Sequence, residues 1–219
     1  MIKQSILVTV DNVIFTVEDD TLKVLLIQRA IEPFKWSWAL PGGFVLEKED
    51  LMQAAERELE EEANVKNVYL EQLYTFGTPK RDPRWRVVTV AYMALVAREN
   101  LLVKAWSDAQ AAMLFPVNKL PKLSFDHAQI VAYALNRLQW KLEYTNVAQY
   151  LLPKLFPLSS LQRIYEIAFD KPFDVRNFRK KILGMKIVKE SWQMLRWQKN
   201  RPAMLYEFVD KKVQIMEIL

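Results

Sequence analysis

Residues 43–65 read Gly43-Phe44-Val45-Leu46-Glu47-Lys48-Glu49-Asp50-Leu51-Met52-Gln53-Ala54-Ala55-Glu56-Arg57-Glu58-Leu59-Glu60-Glu61-Glu62-Ala63-Asn64-Val65. Glu49 follows Gly43 by six positions, and the charged cluster Arg57 to Glu62 lies on a predicted helix from about Asp50 to Ala63. At about 100° per residue, Glu58, Glu61 and Glu62 share one arc of roughly 100°. Met52, Ala55, Leu59 and Ala63 take the neighbouring apolar arc. Three carboxylates beside a buried face repel one another unless a positive charge lies among them. A hard divalent cation such as Mg²⁺ or Mn²⁺, which takes oxygen ligands, is the natural candidate. Glutamate runs on helices are more often solvated faces. This one differs in following Leu40-Pro41-Gly42-Gly43, a sharp turn closing the apolar segment Trp36-Ser37-Trp38-Ala39-Leu40.

The remaining composition narrows the setting. A chain of 219 residues allows one large domain or two small ones, and 51% hydrophobic residues are ample for a packed core. The absence of cysteine excludes disulfides and thiolate metal sites and suits a reducing cytoplasm. The stretch Met1 to Phe15 is interrupted by Lys3, Thr9, Asp11 and Asn12 and reads as a strand, not a leader. No apolar run approaches a membrane span, so a soluble, cytoplasmic protein is expected. Charge divides unevenly. Residues 151–219 carry 14 Lys plus Arg against 7 Asp plus Glu, leaving residues 1–150 at −2 in a chain of net +5. A basic final third points to a second domain with a polyanionic partner.

Residues 4–17 are β-branched and predict a strand, returning through Glu18-Asp19-Asp20 into a second strand at Leu22–Ile27. Trp38-Ala39-Leu40 predicts a short strand into the glycine turn, and further strands are expected at 68–76 and 86–97. A helix at about 126–142 opens with Asp126 as N-cap and carries Ile130, Val131, Ala134, Leu135, Leu138 and Leu142 at helical spacing. The single histidine, His127, sits in its first turn and reads as a packing or hydrogen-bonding residue. These elements make an α/β sandwich with a mixed sheet, assigned to residues 1–145.

Residues 151–219 have another texture. The proline-punctuated segment Leu151 to Pro157 precedes a predicted helix Leu161–Phe169, started by Ser159 and Ser160. After a break at Asp170-Lys171-Pro172-Phe173, Asp174 caps a second helix, Val175–Met185, with an apolar stripe of Val175, Phe178, Ile182 and Met185. Its other face carries Arg176, Asn177, Arg179, Lys180 and Lys181. Strands at 187–189 and 203–208 flank a basic segment with Arg196, Lys199 and Arg201. Two helices across a turn and then a hairpin make a winged helix-turn-helix. A helix with this basic face fits the major groove, neutralising phosphates and reaching base edges, with Arg196, Lys199 and Arg201 on the backbone or in the minor groove. Winged helices also serve protein contacts. A two-fold DNA site read by a homodimer is the expected arrangement.

The pattern in residues 43–65 resembles the Nudix box. Of its nine fixed positions, eight match, as Gly43, Glu49, Arg57, Glu58, Leu59, Glu61, Glu62 and Val65. Asn64 stands where the family has glycine, and asparagine is the next most tolerant residue for a left-handed helix end. With the winged helix, the chain resembles the Nudix-related transcriptional regulators of bacterial NAD metabolism. The segments that carry this include Arg81-Asp82-Pro83-Arg84, Phe125-Asp126-His127 and Arg176-Asn177-Phe178-Arg179-Lys180-Lys181. The resemblance implies a Nudix domain that binds ADP-ribose or a related nucleoside diphosphate derivative and releases the protein from DNA. Retention of every box carboxylate implies hydrolysis as well. Glu58, Glu61 and Glu62 would hold the metal, Glu49 would assist, and Arg57 would orient the glutamates. Gly42 and Gly43 would let the backbone approach the helix start, and Arg81, Arg84 and Arg86 would meet the phosphates. Two alternatives stay open: a regulator that senses a nucleotide or sugar without turnover, and a housekeeping pyrophosphatase whose tail does not bind DNA.

Overall fold

The computed structural model describes residues 5–66, 68–101, 109–195, 202–216 and 218. The chain separates into two compact units, Met1–Thr16 with Lys23–Leu135, and Val17–Leu22 with Asn136–Leu219.

The first unit holds most of strands β1 (Leu7–Glu18) and β2 (Thr21–Arg29), which follow one another through Asp19 and Asp20, both at positive φ. Strands β3 (Trp38–Ala39) and β4 (Gly42–Phe44) precede helix α1 (Leu51–Ala63). Strands β5 (Tyr69–Phe76), β6 (Val87–Leu95) and β7 (Ala109–Pro116) complete a mixed sheet ordered β3-β2-β1-β6-β5. In it β1 runs parallel to β6, while β4 pairs with β1 and β7 with β2, both antiparallel. Helix α2 (His127–Tyr144) follows, giving the mixed α/β sandwich that the resemblance implied. Two of these strands differ from the expectation. Residues 42–44 pair with β1 as Val10↔Gly43 and Asp11↔Gly42 where a loop was predicted. The β7 segment, for which no strand was predicted, is a strand because its Ala111 to Phe115 portion is apolar enough to lie along β2.

Helix α1 is fixed at both ends. The Asp50 side chain accepts the Gln53 amide, and Gln53 returns the bond to the Asp50 amide, so two otherwise orphan donors are satisfied. At the other end Asn64 adopts φ 50°, ψ 40°, the left-handed stop expected of it. The helix packs Leu59 and Ala63 with Ile14, Leu25, Ala94 and Val96, and Ala54 and Ala55 with Val10, Val90 and Tyr92. The buried arc differs from the one predicted. Met52 is exposed, and Ala54 is buried together with Glu58 and Glu62. Two glutamates therefore lie inside the buried face, and Glu61 lies outside it.

The second unit is a winged helix. After a short helical turn at Val147–Leu151 come β8 (Phe156–Pro157), α3 (Leu158–Phe169), α4 (Val175–Gly184), β9 (Val188–Leu195) and β10 (Ala203–Phe208), with the strands ordered β8-β10-β9. Helix α3 starts earlier than expected, with Pro157 at its N-cap and Ser159 and Ser160 within its first turn. Asp174 caps α4 by accepting the Asn177 amide. Phe178 and Ile182 are buried, and the Phe178 ring meets Tyr165 of α3 edge-on at 5.5 Å. Val175, predicted apolar and inward, is exposed because it is the first residue of α4, ahead of the turn that meets α3. Glu166 and Gln162 lock the inter-helix turn by bonding the Phe173 amide and carbonyl.

Candidate functional site

A cleft of about 350 Å³ opens in the first unit, lined from β1, β2, α1 and the loops that precede β6 and α2. That size lies at the lower end of the range for small-molecule sites. Its floor is the Gly42-Gly43 turn against α1. A Cβ on Gly43 would lie 2.1 Å from Glu58 Oε1, so only glycine lets the strand approach the carboxylate this closely. The Gly42 amide donates to Glu62 Oε2 at 2.8 Å.

The positive charge among the glutamates is Arg57. Its guanidinium donates to both Glu49 oxygens at 2.9 and 2.7 Å, to Glu58 Oε1 at 2.7 Å, to Glu61 Oε2 at 3.1 Å and to the Phe44 carbonyl at 3.1 Å. The hydrogen bonds to Arg57 and from the Leu46 amide pull the Glu49 carboxyl down to about 2, and the same pairing with Glu49 raises the Arg57 pKa. Burial pushes the Glu58 carboxyl up, against the pull of Arg57. Among the described residues no three acidic or histidine side chains stand close enough to hold a metal, because Arg57 claims Glu58 and Glu61 while the Gly42 amide claims Glu62. The donors nonetheless fit a hard cation. All are carboxylate oxygens, and two of them already converge on one positive group.

The walls hold the expected Arg84 and add Arg29 and Phe125, which the sequence reading missed. Arg29 and Arg84 place their guanidinium carbons 5.0 and 6.0 Å from the Phe125 ring, and Arg84 also lies 5.8 Å from Phe44 and 5.0 Å from Trp85. Arg84 is gripped by both oxygens of buried Asp82; burial pushes that carboxyl up, and the Arg84 hydrogen bonds outweigh it and hold it below its ordinary value. Arg81 has a different part from the one expected. Its side chain is only 4% exposed, bonds Asp126 at 2.6 and 2.9 Å and reaches Asp11 at 3.2 Å. The structure thus assigns its donors to the cleft wall, ahead of any ligand. Arg86 is not among the cleft-lining residues and bonds carbonyls of its own loop. His127 accepts the Leu40 amide on Nδ1 at 2.8 Å, and its Nε2 stands 3.4 Å from Asp11. Burial depresses its pKa, so the ring is neutral with its proton on Nε2.

In the second unit Arg176, Asn177, Arg179, Lys180 and Lys181 are all exposed on α4. Helical spacing sets Arg176, Asn177 and Lys180 opposite buried Phe178 and Ile182, with Arg179 and Lys181 on the two flanks. Arg179 donates to the Tyr206 hydroxyl at 3.1 Å. Arg196, Lys199 and Arg201 lie outside the described residues.

The Nudix domain family matches residues 8–134, and the NrtR DNA-binding winged helix domain family matches residues 148–208. The chain belongs to the NrtR-type Nudix regulators. It is 39% identical over 206 residues to the ADPR responsive transcriptional repressor NtrR of Acinetobacter baylyi, spanning 92% of this chain and 82% of that one. The ADP-ribose pyrophosphatase of Methanocaldococcus jannaschii is 40% identical over 134 residues, which cover 61% of this NrtR-type chain and 74% of the archaeal protein. The crystal structure of Shewanella oneidensis NrtR with a 27mer DNA superposes with a TM-score of 0.81 at 36% identity, covering 92% and 93% of the two chains.

Proposed function

We propose that this chain is a cytoplasmic, DNA-binding transcriptional regulator whose cleft takes ADP-ribose or a related nucleoside diphosphate and hydrolyses it with Mg²⁺ or Mn²⁺. The observation that carries this is the joining, in one chain, of a carboxylate-floored, arginine-walled cleft to a helix whose exposed face is almost wholly cationic. A repressor and a pyrophosphatase among the relatives support the two halves. A bound divalent cation would neutralise the diphosphate and lower the pKa of its water. Glu58, Glu61 and Glu62 would hold it. Arg57 aligns Glu58 and Glu61, and Glu49 anchors Arg57 in turn. Arg29 and Arg84 offer the cleft's cationic walls for phosphate, while Phe125 and Phe44 supply aromatic faces for a base.

The grip of Arg57 on Glu58 and Glu61 favours a second reading, in which the ligand is bound without turnover. Incubating the protein with ADP-ribose and Mg²⁺ separates the two. AMP release that is lost in Glu61→Gln and Glu62→Gln supports hydrolysis, and calorimetric binding with no AMP supports sensing alone. Absence of both binding and cleavage would refute the assignment of the cleft. On DNA we expect two copies to pair on a two-fold site. A monomer in sedimentation with bound duplex would contradict that part.

A further inference from the structure

The wing residue Tyr206 is 1% exposed, yet its hydroxyl joins two charged groups at the edge of α4. It accepts an N–H of Arg179 at 3.1 Å and donates to Glu190 Oε1 at 3.3 Å. Arginine can only donate and a carboxylate only accept, so the hydroxyl proton has one direction, toward Glu190. The Arg179 guanidinium also lies 5.9 Å from the Tyr206 ring. None of the other exposed α4 residues Arg176, Asn177, Lys180 and Lys181 has a side-chain tether among the described hydrogen bonds of this face. A free arginine side chain carries large rotamer entropy, which binding must remove. A carboxylate at a DNA-facing edge is otherwise a liability, since it repels phosphate. Both features are accounted for if the pair holds Arg179 in one direction before DNA arrives.

We infer that Tyr206, anchored by Glu190, is a positioning residue that pre-orients Arg179 to read a base edge and thereby sets sequence specificity. The inference rests on the proposal that α4 reads DNA. Its test is chosen to fail separately from that proposal. Wild-type protein is used to select a duplex from a random pool, and affinities are then measured for that duplex and for a scrambled one across a salt series. Tyr206→Phe keeps the buried ring and removes the hydroxyl. It should weaken binding to the selected duplex about five- to tenfold, with scrambled-duplex affinity and salt slope unchanged. Glu190→Gln should lose discrimination in another way, by strengthening binding to the scrambled duplex. In the Arg179→Ala background, Tyr206→Phe should have no further effect.

Equal losses on both duplexes would mean that Tyr206 merely braces the wing and would overturn the inference. So would wild-type discrimination in Tyr206→Phe, or additive losses in the double variant. A wild type that enriches no sequence would remove the DNA reading itself, and this assignment with it.

Discussion

Two adjacent glycines in the cleft floor should fail in different ways when given a methyl group. On Gly42 the new Cβ would lie 2.2 Å from the Val10 carbonyl oxygen and 3.0 Å from Asp11 Cα. Both are backbone atoms of β1, the strand to which β4 is hydrogen-bonded, so relief requires the strands to part. Overpacking of this kind costs about 1–3 kcal/mol, and at about 2–4 °C per kcal/mol the melting temperature of Gly42→Ala should fall by roughly 2–12 °C. On Gly43 the obstacle is Glu58, at 2.1 Å to Oε1 and 2.8 Å to Cδ. That carboxylate ends a rotatable side chain and can swing aside, leaving the strand in place. Gly43→Ala should therefore melt within about 1 kcal/mol of wild type. The displaced Glu58 loses its 2.7 Å contact with Arg57 and its place among the donors, so Mn²⁺ affinity should drop by about 10- to 100-fold. Differential scanning calorimetry and a calorimetric Mn²⁺ titration read the two effects. Equal melting losses, or wild-type Mn²⁺ uptake by Gly43→Ala, would refute the reasoning.

Asn64 holds φ 50°, so Asn64→Gly should raise unfolding stability by up to about 1 kcal/mol, while Asn64→Ala should lower it by a similar amount in urea melts. Burial raises the Glu58 pKa, so its contribution to stability is lost as pH rises through the folded value; in metal-free protein at neutral pH Glu58→Gln should melt no lower than wild type while taking up less Mn²⁺. Burial lowers the His127 pKa, so the unfolded chain alone gains a proton near pH 6.5 and stability should fall from pH 7.5 to 5.5 by at most about 1.4 kcal/mol. Glu49, pulled to about 2, gives stability that is lost only as pH falls from about 4.5 toward that value, so His127→Gln should flatten the 5.5–7.5 window.

Local signals carried much of the fold. The bounds of α1 were legible because Asp50 and Asn64 are cap residues, and α4 because Asp174 precedes an apolar stripe. The Asp19-Asp20 reversal between β1 and β2 was legible in the same way. What escaped depends on partners distant in sequence. Residues 42–44 become a strand only because β1 offers them an edge, and β7 only because β2 does. The helical wheel placed Met52 inward, but a wheel cannot say where the sheet ends, and Ala54 fills that position. The three crowded carboxylates were read as asking for a divalent cation, and the positive charge that the structure sets against Glu58 and Glu61 is a side chain. It is the adjacent Arg57, whose reach across four acceptors is a matter of rotamer and not of spacing. Arg29 and Phe125 look like a strand end and a loop aromatic in sequence, and they become cleft walls only when β2 and the start of α2 are brought together. Arg81 shows the converse: a loop arginine that looked free is held by Asp126 and Asp11, 45 and 70 positions away.

In the proposed function one ligand links the cleft to the DNA-binding helix. The direct measurement is the affinity of full-length protein for its selected duplex, titrated with ADP-ribose at fixed salt, with cleft occupancy followed by calorimetry. Linkage requires the ligand to prefer the DNA-free form, and coupling of ordinary size would weaken duplex binding by about 5- to 150-fold. Duplex affinity should fall in that range at saturating ADP-ribose, and the fall should vanish when Arg84→Ala empties the cleft wall. Duplex affinity unchanged while calorimetry shows the cleft filled would contradict the link.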